Sequence, residues 1–282
     1  VRIRRRDEQP PVVEAADPQD GVVPVAWVGV RGCDLAAVAV TDRVFLGGDH
    51  PDPHYGTRRA APFIVAVECG SPAATCFCSS MGTGPGIDAD RGADLIVTEL
   101  GAESGDPGPH RFLVRPGSDR GWELLASVEA ASAAEGDHAE AQRVVERAAS
   151  RITRRLETDG LHERIAASLG SAHWDEVAQR CLSCANCTLV CPTCFCSTVE
   201  DTTDLSGEVA SRERVWDSCF TLGHSYIHGG SVRATTAARY RQWLTHKLDT
   251  WWDQFGTSGC VGCGRCTTWC PAEIDLLEEV PT

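Results

Sequence analysis

Two stretches in the second half of the chain have the residue types and spacing for redox chemistry. CLSCANCTLVCPTCFC (Cys181–Cys196) has six cysteines in sixteen residues, and CVGCGRCTTWCP (Cys260–Pro271) has four in twelve. Within them, Cys181-x2-Cys184-x2-Cys187-x3-Cys191-Pro192 and Cys260-x2-Cys263-x2-Cys266-x3-Cys270-Pro271 are one pattern used twice. Three thiolates at these intervals can wrap one corner of a cuboidal [4Fe–4S] cluster, with loop amides directed at its sulfides. The fourth, leaving on the next helical turn, reaches the neighbouring cluster. The spacing therefore predicts one cluster on Cys181, Cys184, Cys187 and Cys270, and a second on Cys260, Cys263, Cys266 and Cys191. The rival of another class is a zinc-binding scaffold, since CxxC pairs also make zinc ribbons. Zinc has no use for a triplet followed by Cys-Pro that occurs twice.

Seven cysteines remain, and the tetrapeptide TCFC occurs both at Thr75–Cys78 and at Thr193–Cys196. Upstream, Cys33 follows the apolar run Val22–Val30, and Cys69 follows Phe63–Val67. If these runs are parallel neighbouring strands, both thiols emerge at the carboxyl edge of a sheet, where α/β folds bind ligands. The loop SPAATCFC then folds back to add Cys76 and Cys78, so the expectation is a third [4Fe–4S] cluster on Cys33, Cys69, Cys76 and Cys78. Against it stands a structural or zinc role for the four thiols. Cys194, Cys196 and Cys219 lack a visible fourth partner. They read as buried thiols that hydrogen-bond a cluster's sulfurs, with a role as alternative ligands left open. His224 and His228 read as loop residues.

The elements that position these thiols are expected to be of two kinds. Strand-like runs at Val22–Val30, Phe63–Val67, Asp94–Leu100 and Phe112–Val114, with a helical stretch at Asp34–Phe45, suggest an α/β domain over 1–125 with some parallel pairing. A helical connector follows over 126–180. There Val144, Val145, Ala148, Ala149, Ile152 and Leu156 share a stripe and Gly160 is a stop. Residues 181–282 are expected to be an α-helical two-cluster ferredoxin-like domain. In it a helix with Tyr240, Leu244, Leu248, Trp251 or Trp252, and Phe255 on one face, ended by Gly256, packs around a bulky prosthetic group. The fold class is thus an α/β N-terminal domain followed by that ferredoxin-like domain.

Composition narrows the function. Fifteen cysteines in 282 residues, without an N-terminal secretory signal, point to metal thiolates in a reducing compartment, hence the cytoplasm. The net charge of −14 argues against nucleic-acid binding, including a redox-sensing DNA regulator. No apolar run is long enough for a bilayer. SSMGTGPGID (Ser79–Asp88) is a poor phosphate cradle and no Walker or dinucleotide fingerprint occurs, so the chain itself is expected to bind neither FAD nor nicotinamide. No nucleophile–base pair stands out. Of the 26 basic residues only Lys247 is lysine, and the sequence offers no physical reason for it. The absence of an initial Met suggests an incomplete N-terminus.

GVRGCDLAAV, VECGSPAATCFC, CLSCANCTLVCPTCFC, ERVWDSCF and GCVGCGRCTTWCP together resemble the iron–sulfur β subunit of NAD(P)-linked cytoplasmic [NiFe] hydrogenases (sulfhydrogenases). They resemble almost as closely the corresponding iron–sulfur subunit of anaerobic sulfite reductases. The resemblance covers nearly the whole chain in order, and its pattern includes Cys33, Cys69, Cys76 and Cys78 as well as Cys194, Cys196 and Cys219. It implies an electron-transfer protein that performs no bond chemistry alone. Such a protein exchanges electrons with a FAD/NAD(P)-binding subunit at one end of the relay. At the other end stand the small and large [NiFe] hydrogenase subunits of the same hetero-oligomer. Two departures are visible. Little of the N-terminal segment usual before the first strand is present, and GGSVR, ending at Arg233, stands where relatives tend to have Asn–Phe–Arg.

Overall fold

The computed structural model describes residues 1–6, 9–101 and 110–281. A hairpin of β1 (Arg2–Arg6) and β2 (Gln9–Glu14) comes first. It is followed by β3 (Ala26–Val30), α1 (Gly32–Leu46), α2 (Pro53–Ala60), β4 (Phe63–Val67), β5 (Leu95–Leu100) and β6 (Arg111–Pro116). The last four strands form a sheet in the order β3-β4-β5-β6. The first two pairings are parallel and the last is antiparallel. β-Branched runs such as FIVAV and LIVTEL suit its buried centre, where Leu35 of α1 meets Ile64, Ala66 and Ile96. The strand in the Val22–Val30 run is shorter than expected and lies on the sheet edge rather than inside. Among the described residues β3 pairs with β4 alone, and its Val28 is 74 % exposed.

Two buried carboxylates fasten this sheet to its loops. Glu68, one residue before Cys69, accepts from Thr98 Oγ1 at 2.5 Å and from Arg115 Nη2 at 2.9 Å. Asp94 accepts from the Ile64 amide at 2.8 Å and from Ser118 Oγ at 2.6 Å. Such groups are tolerated inside only when bonded.

The connector is helical in pieces: α3 (Asp119–Ala126), α4 (Glu135–Arg151), α5 (Leu161–Ala167) and α6 (His173–Arg180). Val144 and Ala148 of α4 are buried as expected. The helix nevertheless stops at Arg151, with Ile152 already extended, so the buried Leu156 belongs to an irregular segment. Gly160 does not end a helix. It sits in the left-handed region at φ 65° and begins α5.

The last third contains α7 (Asn186–Leu189), β7 (Ser197–Thr203), β8 (Val209–Trp216), the short β9 (Tyr226–Ile227) and β10 (Gly230–Ser231), and α8 (Thr236–Thr245). A π-helical turn at His246–Thr250 leads to α9 (Trp251–Phe255) and later α10 (Arg265–Thr268). Trp251 is buried and Trp252 half exposed, so the former carries the inward face. Gly256 ends the helix at φ 65°, as expected. The hairpin β7–β8 is an addition to the helical ferredoxin-like unit, and β1 joins it in a sheet of order β2-β1-β8-β7. Its register pairs Arg2 with Ser211. Among the described residues no helix is long and apolar enough to cross a membrane.

Candidate functional site

The two cysteine runs fold alike. Ser183 and Ala185 stand at φ 51° and 65°, and their counterparts Gly262 and Gly264 stand at 66° and 69°. Each left-handed pair turns the chain into a four-residue helix, α7 or α10. The turns aim backbone amides at sulfur: Ser183 N lies 3.5 Å from Cys181 Sγ, and Gly262 N lies 3.4 Å from Cys260 Sγ. Past the second run, Ile274 N donates to Cys270 Sγ at 3.4 Å. A left-handed residue with a side chain costs roughly 1–2 kcal/mol, so Ser183 and Ala185 are held there by the loop as a whole.

Why the second run uses glycines is visible in what packs on it. A Cβ at Gly264 would lie 2.2 Å from Thr75 O, and one at Gly262 would lie 2.8 Å from Cys78 Cα. The upstream TCFC is laid directly across this loop. Phe77 N donates to Gly262 O at 2.9 Å, Thr83 Oγ1 to Val261 O at 2.6 Å, and Thr75 and Thr268 hydroxyls meet at 2.7 Å. Arg265, next to Gly264, reaches Asp34 Oδ1 at 2.6 Å. Each copy of TCFC plants its phenylalanine across the molecule. Phe77 enters the C-terminal core that also holds Tyr240 and Trp243, and Phe195 packs against Phe45 of α1, with centroids 5.7 Å apart.

One cavity is bordered by Cys181, Cys184, Cys187, Cys266 and Cys270, together with Tyr240 and Trp243. Burial pushes the Cys187 thiol upward, and the nearby sulfurs of Cys181, Cys184 and Cys270 push it further. Burial also raises Cys266, helped by Cys260, Cys191 and Cys263. Cys270, the fourth cysteine of the second run, thus borders the cavity of the first three of the other, and Cys191 is near enough to Cys266 to act on it. Tyr240 and Trp243 line this cavity, and their buried Oη and Nε1 have no hydrogen-bond partner among the described residues. Orphan donors beside crowded thiols suit an anionic, sulfur-rich group, so these residues fit an iron–sulfur cluster. Among the described residues no three Cys, His, Asp or Glu side chains close around a point suited to one metal ion. Thiols spread around a cavity match a polynuclear group better than a zinc site, where each sulfur stands about 2.3 Å from the ion.

A second cavity, of about 230 Å³, brings Cys33, Cys69, Cys76 and Cys78 together, with Cys263 also on its wall. That is far more room than a single ion or water takes. Cys33 opens α1 after β3, and Cys69 follows β4, so the parallel pair delivers both thiols to one edge. Gly84, from the Ser79–Asp88 stretch, closes in so that a Cβ would lie 3.3 Å from Cys78 Sγ. Burial, then Asp34 and Cys263, raise Cys33 to about 12. Burial, then Cys76 and Cys69, raise Cys78 to about 11. Cys33, Cys69 and Cys78, all raised, need cationic metal to ionise together.

The remaining cysteines form two contacts. Cys191 is lowered first by the Cys194 thiol that donates to it, and the same contact raises Cys194. Cys219 likewise donates to Cys196 and brings it to about 6, against the effect of burial. Only Cys194 thus meets an expected cluster ligand, whereas Cys196 and Cys219 meet each other. His224 turns to Asp217 Oδ2 at 3.1 Å. One residue escaped the sequence reading: Lys247 is buried, and its Nζ donates to Thr193 Oγ1 at 2.8 Å and to Gly259 O at 3.1 Å. A lone lysine on an apolar helical face, between Leu244 and Trp251, was the signal available.

Residues 180–274 match the family model described as a 4Fe-4S dicluster domain. The chain is similar to sulfhydrogenase 2 subunit beta of Pyrococcus furiosus, with 35 % identity over 267 residues, covering 93 % of this chain and 75 % of that protein. No solved structure matches.

Proposed function

This chain belongs to the sulfhydrogenase β-subunit family, and on that footing we propose that it is the cytoplasmic electron-relay subunit of an NAD(P)-linked [NiFe] hydrogenase. In this reading one cluster is held by Cys181, Cys184, Cys187 and Cys270, and a second by Cys260, Cys263, Cys266 and Cys191. A third is held by Cys33, Cys69, Cys76 and Cys78. The relay connects a FAD/NAD(P)-binding subunit with the small and large hydrogenase subunits of a hetero-oligomer.

One observation carries the proposal. Cys263 borders the upstream cavity, while Cys266, three residues on, borders the cavity of Cys181, Cys184 and Cys187. The second cysteine run thus lies between the other two thiol groups, an arrangement suited to passing charge in sequence. When bound, each cluster supplies a one-electron couple whose potential follows its charge, hydrogen bonding and burial. The protein's part is to fix those quantities. Loop amides donate to Cys181, Cys260 and Cys270 sulfurs, and Tyr240 and Trp243, whose O–H and N–H are buried, stand on the wall of the same cavity.

Anaerobic iron and acid-labile sulfide analysis tests this. About twelve irons per chain are expected, falling to about eight in Cys76→Ser. About eight in both would remove the upstream cluster, and colourless zinc-loaded protein would overturn the reading. Affinity purification from the host should bring down flavin and nickel with the chain. A sulfite-reducing partner would instead favour the sulfite reductase assignment.

A further inference from the structure

Lys247 is 3 % exposed. A buried ammonium costs several kcal/mol unless an anion answers it. Its hydrogen-bond partners are neutral oxygens, Thr193 Oγ1 and Gly259 O, and the ring of Trp251 has its centroid 5.4 Å away. The nearby buried carboxylate, Asp249, is engaged by His162 Nδ1 at 2.5 Å. Three sulfurs face Lys247, those of Cys191, Cys194 and Cys260. Thr193 Oγ1, which receives the ammonium, also stands 3.2 Å from Cys191 Sγ. Bound to metal, Cys191 and Cys260 would be the thiolates that answer the charge. These two come from opposite cysteine runs yet belong to one proposed ligand set.

The side chain is also held in place. Gly259 N donates to the backbone carbonyl of Lys247 at 2.8 Å, while Lys247 Nζ donates to the carbonyl of Gly259, the residue just before Cys260. Thr193, two residues after Cys191, receives the ammonium and donates its own hydroxyl to Gly259 O at 2.6 Å. The helix widens into its π turn at His246–Thr250, where Lys247 sits. Such widenings recur at functional sites. All the other 25 basic residues are arginine. A compact point charge differs from a planar fork in what it can approach, so lysine at this one place is a chemical choice.

We propose that Lys247 is the fixed counter-charge of the cluster held by Cys191, Cys260, Cys263 and Cys266, and that it makes reduction of that cluster more favourable. This rests on the electron-relay reading above. Reduction adds negative charge to a group already surrounded by thiolates, and a cation locked beside it in a low-dielectric interior stabilises the reduced form more. Lys247 is thereby a positioning residue for charge. The bland alternative is a clamp that ties the two runs through Thr193 and Gly259.

Redox titration of the iron-loaded full-length chain, followed by EPR, separates the two. Lys247→Gln keeps a donor but no charge, Lys247→Met keeps neither, and Lys247→Arg keeps the charge. Reduction of one cluster is expected to become about tenfold less favourable in both uncharged variants, which for a one-electron couple is about 59 mV. The other midpoints should stay in place. If the uncharged variants lose that cluster's iron while Lys247→Arg retains it, the need for the charge is equally supported. Loss in all three, or Lys247→Gln with wild-type midpoints, means a clamp and overturns the proposal. Wild-type protein without iron would sink the relay reading and this one together, whereas intact iron with unmoved midpoints sinks this one alone.

Discussion

The amide of Phe77 donates to the carbonyl of Gly262 at 2.9 Å, and the phenyl ring behind it is only 1 % exposed in the C-terminal core. This contact makes the upstream thiols and the second cysteine run parts of one construction. Gly264 is its tightest point. Gly264→Ala should cost about 2–3 kcal/mol, since a methyl group cannot fit against Thr75 O. Loaded protein should lose about four irons. Ala185→Gly, at the equivalent point in the first run, should be neutral or stabilising by up to about 1 kcal/mol. Denaturant midpoints and iron analysis check both; full iron in Gly264→Ala would refute the docking argument.

Glu68 precedes Cys69 and is buried against Arg115. Arg115→Met should therefore cost about 2–3 kcal/mol, mostly from the carboxylate left unpaired. The double variant Glu68→Gln, Arg115→Met should recover at least half of that. A purely additive double-mutant cycle would show that the pair does not anchor the strand end.

Tyr240 gives a prediction with two signs. In the iron-free protein, Tyr240→Phe removes a buried hydroxyl that has no partner among the described residues and should stabilise by about 1 kcal/mol. In the loaded protein it removes a hydrogen-bond donor from the cavity of Cys181 and Cys187, so the midpoint of that cluster should fall. Unchanged midpoints would mean the hydroxyl faces no sulfur.

Thiol protonation fixes a pH dependence. Cys33 and Cys260 are raised to about 12 and Cys78 to about 11, with burial the largest cause for each. These groups are protonated in the iron-free protein at neutral pH and must lose their protons to bind metal. Apparent affinity should therefore rise with every pH step from about 6.5 to 8.5 and not level off within that window. Anaerobic titration with Cd²⁺, followed by thiolate-to-metal absorbance and proton release, measures it. A flat profile would mean thiols already ionised.

The candidate ligands were legible because their spacing is local. Cys181-x2-Cys184-x2-Cys187 needs no tertiary knowledge, and strand ends alone brought Cys33 and Cys69 to one edge. What escaped depended on distant partners. Nothing near Gly262 or Gly264 announces that Thr75 and Cys78 press on them, and nothing in RIRRR announces β8. Gly160 is ambiguous from sequence because a left-handed glycine serves equally to end a helix or to begin one, and periodicity does not distinguish them. Lys247 was hidden by distance along the chain: its neighbours Thr193 and Gly259 are brought close only by the fold.

The Thr75–Thr268 contact joins residues 193 positions apart. During synthesis, at about 5–20 residues per second, the upstream thiols leave the ribosome on the order of ten seconds or more before the loop that covers them exists. On the proposed reading, a cluster at that edge cannot be completed before residues 261–268 have emerged. Until that loop arrives, four closely spaced thiols stand without the segment that covers them.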